Sequence, residues 1–237
     1  MARREFKLEV LEAFTGCLNF RSDQFNLAEN ESPDLLNVLV DPRGGIRMRD
    51  GIDRLNVTAL SADIKGIWGF HTDSGTNQVM VNYGTKVAYA TTGNFTDLTG
   101  ITSRTAGSRV YGMTMNNVAY GVSGDKVSFK WDGSSAADLG LTLNGSAGNF
   151  PQATHVAFWN NFAWTANTVE SGVNHKSRVR WSNANDPEKW TAADYVDIDK
   201  GEHGDHITGL LPMGDRLLVF KANGVYAIFG FDSDSFQ

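Results

Sequence analysis

The chain has 237 residues, of which 41% are hydrophobic and 20% charged, with a formal net charge of -6 and an isoelectric point near 5.3. This composition carries enough apolar material for a packed core and too little charge for disorder, and the acidic balance argues against a broad nucleic-acid or anionic-membrane surface. One cysteine, Cys17, excludes an internal disulfide and every multi-cysteine metal site. No apolar run approaches the ~18 residues of a membrane span.

Met1-Ala2-Arg3-Arg4-Glu5 is basic with no apolar stretch behind it, so no secretory signal is expected. Phe6 to Val10 alternates apolar and charged residues and predicts a short strand. Phe14-Thr15-Gly16-Cys17-Leu18-Asn19-Phe20 reads as a loop with exposed aromatics. Ser32-Pro33 places an N-cap before a proline at the first position of a short helix, with Asp34 in its first turn. Val38-Leu39-Val40, the turn residues Asp41-Pro42-Arg43-Gly44-Gly45 and Ile46-Arg47-Met48-Arg49 predict a β-hairpin over 38–49. Ile46 and Met48 share one face, Arg47 and Arg49 the other.

From residue 61 onward the helical period disappears. Short runs rich in Val, Phe, Tyr and Trp alternate with Gly, Asn and Asp, as strands and tight turns require. The exception is Asp186-Pro187-Glu188-Lys189-Trp190, which suits a single helical turn. Similar strands recur around Val87, Val127, Val179 and Val225, at the ~40–50-residue period of a propeller blade. Apolar strands enter and leave polar turns at Met115-Asn116-Asn117-Val118, Trp159-Asn160-Asn161-Phe162 and Met213-Gly214-Asp215-Arg216, which marks three hairpins. One antiparallel blade cannot cover both its faces. Blades stacked radially bury them on neighbours, with aromatics filling the wider outer gap. Six Trp, six Tyr and fourteen Phe suit that packing.

The expected fold is therefore all-β, with four-stranded antiparallel, propeller-like blades over 61–237, about four repeats, and an N-terminal arm and hairpin over 1–60. The last repeat shows only its middle hairpin before Phe231 to Gln237. On this reading the chain ends inside a blade, or the ring is completed by the N-terminal segment or by another chain.

Motifs for chemistry are sparse. No Gly-x-Ser-x-Gly elbow and no Gly-Lys-Ser/Thr phosphate loop occurs, so no catalytic residue and no cofactor are assigned. Cys17 reads as a small half-buried residue. The cluster Asp194, Asp197, Asp199, Glu202, His203, Asp205 and His206 contains His203 and His206 at a spacing compatible with one metal ion. It lacks the bidentate Glu of a calcium loop, and the favoured reading is a solvated acidic turn between strands. Trp159, Trp164, Trp181 and Trp190, with Asp186 and Glu188, are the candidates for a glycan platform, against which stands inter-blade packing. The sequons at Asn30, Asn56, Asn94 and Asn144 are expected by chance. Arg43, Arg47, Arg49 and Arg54 make the hairpin region locally basic: a solvated face, or an ionic contact with a neighbouring subunit or passing DNA.

The stretch from Phe14 to Gly51 is more distinctive. It runs through Phe-Thr-Gly-Cys-Leu-Asn-Phe-Arg, then Leu-Ala-Glu-Asn-Glu-Ser-Pro-Asp-Leu-Leu-Asn-Val, to Gly-Gly-Ile-Arg-Met-Arg-Asp-Gly. It resembles the opening of tailed-bacteriophage virion proteins of the tail hub and nozzle type. Val179-Arg180-Trp181-Ser182-Asn183, Asn185 to Trp190 and Ile207 to Lys221 are also similar to that group. The resemblance implies a β-propeller subunit that assembles with itself in a ring, often a hexamer, below the portal, connector or adaptor proteins. Such a ring forms part of a DNA-ejection conduit and a platform for fibres or spikes. It also implies a location in the virion, transient passage of DNA and no enzymatic activity. Members of the group are usually longer, with further blades after the position of Phe229. Phe14, Phe20, Arg43, Arg47, Arg49 and Arg54 are the expected interface residues, because aromatics and arginine are favoured interface anchors. The alternative is a carbohydrate-binding or glycan-cleaving propeller adhesin.

Overall fold

A computed structural model describes residues 17–19, 26–28, 30–32, 38–40, 45–49, 56–199 and 205–236. The chain divides into two compact units, Met1–Arg54 and Leu55–Gln237.

In the first unit, β1 (Cys17–Leu18) pairs in parallel with β2 (Glu31–Ser32). The Asn19 amide donates to the Glu31 carboxylate at 2.8 Å beside this pair. The loop expected over 14–20 thus carries a two-residue strand. β3 (Val38–Val40) and β4 (Ile46–Met48) form the expected hairpin, with Val38 opposite Met48 and Val40 opposite Ile46. The strand expected at 6–10 and the helix expected after Ser32 lie outside the described residues.

The second unit is a meander of antiparallel sheets. β5 (Ile64–His71), β6 (Asn77–Tyr83), β7 (Lys86–Ala90) and β8 (Thr96–Asp97) make the first. β9 (Tyr111–Met115), β10 (Val118–Val122), β11 (Phe129–Trp131) and β12 (Ala136–Asp138) make the second. β13 (Gln152–Trp159), β14 (Phe162–Glu170), β15 (Val173–Trp181) and β16 (Tyr195–Asp197) make the third. The fourth has three strands, β17 (Ile207–Met213), β18 (Arg216–Lys221) and β19 (Val225–Ile228). The first strands β5, β9, β13 and β17 pack one on the next in chain order. This is the expected β-propeller architecture in four blades, the last of three strands among the described residues.

Local chemistry explains the hairpins. Asn116-Asn117 and Asn160-Asn161 both adopt positive φ, 53° and 63° in the first pair and 52° and 65° in the second. Two successive left-handed residues make the tight turn whose twist matches that of the strands, and Asn tolerates this conformation better than most residues. All three turns expected at 115–118, 159–162 and 213–216 join directly paired residues.

Two expectations are corrected. Residues 186–190 are not helical but a pair of turns: Asn183 bridges Asp186, and the Lys189 N–H donates to the Asp186 carbonyl. Pro187 fits the second position of a turn as well as the first of a helix. The valine alignment also slips. The N–H groups of Leu98, Leu139 and Ile198 donate to the carbonyls of Val87, Ser128 and Ser177, which are therefore the equivalent positions. A longer loop before β11 and a bulge at Ala166–Thr168 in the β14–β15 pair displace Val127 and Val179 from that register.

Each gap between neighbouring blades is filled by one apolar cluster. Phe70, Met80, Val110, Phe129 and Trp131 fill the first gap. Met113, Tyr120, Phe150 and Trp190 fill the second. Trp159, Trp164, Trp181, Ile207 and Leu217 fill the third, where Phe236 from the C-terminal stretch inserts its ring. No such cluster links the fourth blade back to the first among the described residues. On the outward face of the first blade Leu60 and Phe95 cover Val81 and Ala88 but leave Ile67 exposed, and on the fourth blade Met213 and Val225 are exposed.

Candidate functional site

The surface hairpin is the first candidate. A three-residue strand pair cannot bury a face by itself: on the face of Ile46 and Met48, Ile46 is exposed and Met48 is 81% exposed, and on the other face Leu39 is exposed. Arg47, opposite Leu39, and Arg49 are exposed as well. Of the six expected interface residues, Arg47 and Arg49 are thus found two apart at the open end of β4. Phe14, Phe20, Arg43 and Arg54 lie outside the described residues.

The second candidate is a carboxylate that recurs at the outer edge of each four-stranded blade. The stretches Phe95-Thr96-Asp97-Leu98, Ala136-Ala137-Asp138-Leu139 and Tyr195-Val196-Asp197-Ile198 contain β8, β12 and β16. In each, the Leu or Ile N–H closes the ladder and the Asp meets a cation. Asp97 accepts from Lys86 and from the Tyr83 hydroxyl. Burial and Asp97 together push the Tyr83 hydroxyl up to about 12. Asp138 accepts from the Thr102 N–H at 3.0 Å and lies 3.6 Å from the buried Arg104 guanidinium. Asp197 is bound by Arg178. The sequence reading missed this repeat, although the three short Asp-Leu/Ile stretches were its signal.

Around Asp197 the charges condense into a network. Arg178 donates to Glu170 at 3.0 Å, and Arg180 donates to both Glu170 oxygens at 2.6 and 2.8 Å. The Tyr195 ring lies 3.7 Å from the Arg178 guanidinium carbon. Burial alone would raise the Glu170 carboxyl. Hydrogen bonds from Arg180 and Thr168 and the two arginine charges outweigh it and hold the carboxyl at about 2. Arg180 also donates to the carbonyls of Thr191 and Ala192. Glu170 and Arg180 border a cleft of about 630 Å³ with Leu141, Leu143 and Pro151. Both charged groups are engaged with each other there, so the arrangement braces the blade and offers neither a free base nor a free cation.

The other sequence candidates separate in space or in role. Trp159, Trp164, Trp181 and Trp190 are all buried in blade interfaces and make no glycan platform. Glu188 accepts from Lys130 at 2.8 Å and from the Tyr120 hydroxyl, while Asp186 pairs with Lys189. Asp197 is held by Arg178, Asp199 accepts from the Tyr226 hydroxyl, and Asp205 caps the N–H groups of Ala222 and Asn223. Glu202 and His203 lie outside the described residues, and those that are described contain no cluster of three metal-ligating side chains.

No family model matches the chain, and no curated protein matches it. Among solved structures, it is similar to the computationally designed Ika8 protein, with 13% identity, a TM-score of 0.47, and coverage of 74% of this chain and 48% of that one. It is also similar to the N-terminal domain of Nup159, with 11% identity, a TM-score of 0.38, and coverage of 72% and 46%. The chain spans about half the length of each of these structures. Likeness at this level bears on neither activity nor partners. No helix among the described residues is long and apolar enough to cross a membrane.

Proposed function

We propose that this protein is a structural virion component of a tailed bacteriophage, a hub or nozzle subunit of the tail. It assembles with itself in a ring, six copies being the number implied by the resemblance, between the portal or adaptor proteins and the fibres or spikes. The order of motifs from Phe14 to Gly51 supports this reading, as does a propeller body built from blade-to-blade packing. The observation that carries it is the β3–β4 hairpin, which presents Ile46, Arg47, Met48 and Arg49 together as exposed side chains. An apolar and cationic strip on a protein of net charge -6 has the composition of an interface with another acidic subunit.

In such a ring the acidic balance would keep passing DNA from adhering, since like charge repels the phosphates. The blades would act as a rigid wall, and the hairpin would make the subunit contacts. Electron microscopy of native particles with antibody or tag labelling of this chain tests the reading. Density for the label at the tail supports it, and its absence from every virion overturns it.

A further inference from the structure

An asparagine followed by glycine is open to attack by its own backbone. The glycine nitrogen closes a five-membered ring on the asparagine carboxamide. The missing Cβ removes both the steric screen and the conformational restriction that slow this step before other residues. The sequence holds two such pairs, Asn144-Gly145 and Asn223-Gly224, and the fold treats them oppositely. At the first pair both reacting groups are engaged. The Gly145 N–H donates to the Trp190 carbonyl at 2.9 Å, and the Asn144 side-chain oxygen accepts from the Ser146 N–H at 3.0 Å. Asn144 also bridges Thr191, next to the buried Trp190. Ring closure there would have to break these contacts first.

At the second pair neither group is engaged. It lies in the turn between β18 and β19, whose central residues are Ala222 and Asn223. Neither of them adopts the positive φ found at Asn116-Asn117 and Asn160-Asn161. Alanine resists that conformation, so the turn lacks the twist that lets a tight hairpin close with both of its cross-turn bonds. One bond forms, from the Lys221 N–H to the Gly224 carbonyl at 2.8 Å, and the reverse bond from the Gly224 N–H to the Lys221 carbonyl is not made. The Asp205 carboxylate caps the N–H groups of Ala222 and Asn223 at 2.9 and 3.1 Å and stops one residue short of Gly224. The Gly224 nitrogen has no acceptor among the described residues, and the exposed Asn223 carboxamide makes no hydrogen bond with them.

We propose that Asn223 is a site of covalent self-modification, at which the Gly224 nitrogen displaces the side-chain amide and water then opens the ring, while Asn144 keeps its amide. The bond from the Gly224 nitrogen to Asn223 Cγ forms and the Cγ–Nδ2 bond breaks. Nδ2 leaves as ammonia, taking the proton from the Gly224 N–H. Water then adds to one of the two ring carbonyls. Attack at Cγ gives aspartate, and attack at the main-chain carbonyl gives isoaspartate. Either product places a carboxylate where Asn223 carries a neutral amide, close to the Asp205 carboxylate, and like charges repel. Isoaspartate also lengthens the main chain of the turn by one methylene. Both changes loosen the cap that Asp205 places on this hairpin end. The inference is independent of the tail assignment.

The test incubates the full chain, folded and in urea, at mildly alkaline pH. Peptide mass spectrometry follows both Asn-Gly pairs, and methylation by an isoaspartyl methyltransferase gives a second readout of the isoaspartate. In the folded chain Asn223 should convert at least about tenfold faster than Asn144, which reacts only after local opening. In urea the two rates should converge. Gly224→Ala should keep the fold, because the added Cβ meets the edge of the Tyr226 ring at 3.3 Å and no backbone atom. It should slow conversion of Asn223 at least about tenfold. Asn223→Asp, which fixes the charge of the product, should speed hydrogen exchange at the Ala222 amide, and unchanged exchange there would overturn the loosening. The proposal as a whole is overturned if Asn223 survives in the folded chain under conditions that convert it in urea, if the two asparagines convert alike in the folded chain, or if Gly224→Ala leaves the rate at Asn223 unchanged.

Discussion

Arg178 holds Asp197 with two parallel hydrogen bonds, 2.7 Å from Nε to Oδ1 and 2.9 Å from Nη2 to Oδ2. The pair ties β16, a strand of three residues, onto β15, and the same guanidinium reaches Glu170 at the end of β14. Asp197 and Glu170 keep their guanidinium raised well above its ordinary value; hydrogen bonding to Asp197 is the largest cause. Arg178→Met keeps the length of the stem but leaves two carboxylates without their shared cation. About 3 kcal/mol of stability should be lost, against about 1–2 for Asp197→Asn. Urea unfolding of both variants and of the double variant checks this. Strictly additive losses would show that the pair is not coupled.

Gly112 sets how closely the first two blades approach. A Cβ added there would lie 2.3 Å from the Trp68 Nε1 atom, inside the van der Waals contact of a half-buried indole. Gly112→Ala should cost about 1–3 kcal/mol by overpacking. Trp68→Leu in the same chain should recover most of that loss, although alone it destabilises. Thermal unfolding of the three variants decides it, and an unaffected Gly112→Ala variant would show that the blades can slide apart.

The parts of this fold that could be read from the sequence are those fixed by short-range chemistry. Asn116-Asn117 and Asn160-Asn161 announce tight hairpins because few other dipeptides accept two positive φ values in succession. Burial of Trp164 and Trp190 follows from a blade's need to cover both faces. The outer strands were not legible: β8 has two residues and β12 and β16 three, too few for any alternation to show. Nor was the register of the second and third blades, where a bulge and a longer loop shift strands whose residue types are interchangeable. The hairpin over 38–49 was legible from its turn residues. That Met48 would remain exposed was not, because burial depends on what packs against a strand and not on the strand itself.

His155 is buried on β13, its ring centroid 4.8 Å from that of Tyr111 and tilted by 59°. Burial lowers its pKa to about 4; a backbone hydrogen bond with Ile207 opposes the shift, and the charges of His206 and Arg109 add to it. The unfolded chain, with an ordinary histidine near 6.5, binds the proton more readily. Stability is therefore highest above pH 6.5 and falls as pH drops toward 4, by about 2–3 kcal/mol once both states are protonated. The carboxylates with lowered values, such as Glu170, add their own loss mainly below that window. His155→Phe should flatten the slope of unfolding free energy between pH 6.5 and 4. An unchanged slope would place the sensitivity elsewhere.

Arg47 and Arg49 carry the assembly reading. Both lie on an exposed strand, and surface substitutions of this kind usually change stability by less than about 0.5 kcal/mol. Arg47→Glu combined with Arg49→Glu should leave the isolated chain with an unchanged unfolding transition and an unchanged β-sheet circular dichroism spectrum. The pair inverts two charges facing an acidic neighbour, where like-charge contacts cost several kcal/mol. Ring formation, followed by native mass measurement, should then fall at least about tenfold and recover when salt screens the repulsion. Met48→Asp tests the apolar half of the strip, and its assembly defect should persist in salt. Rings that form normally with all three changes would remove the hairpin from the interface.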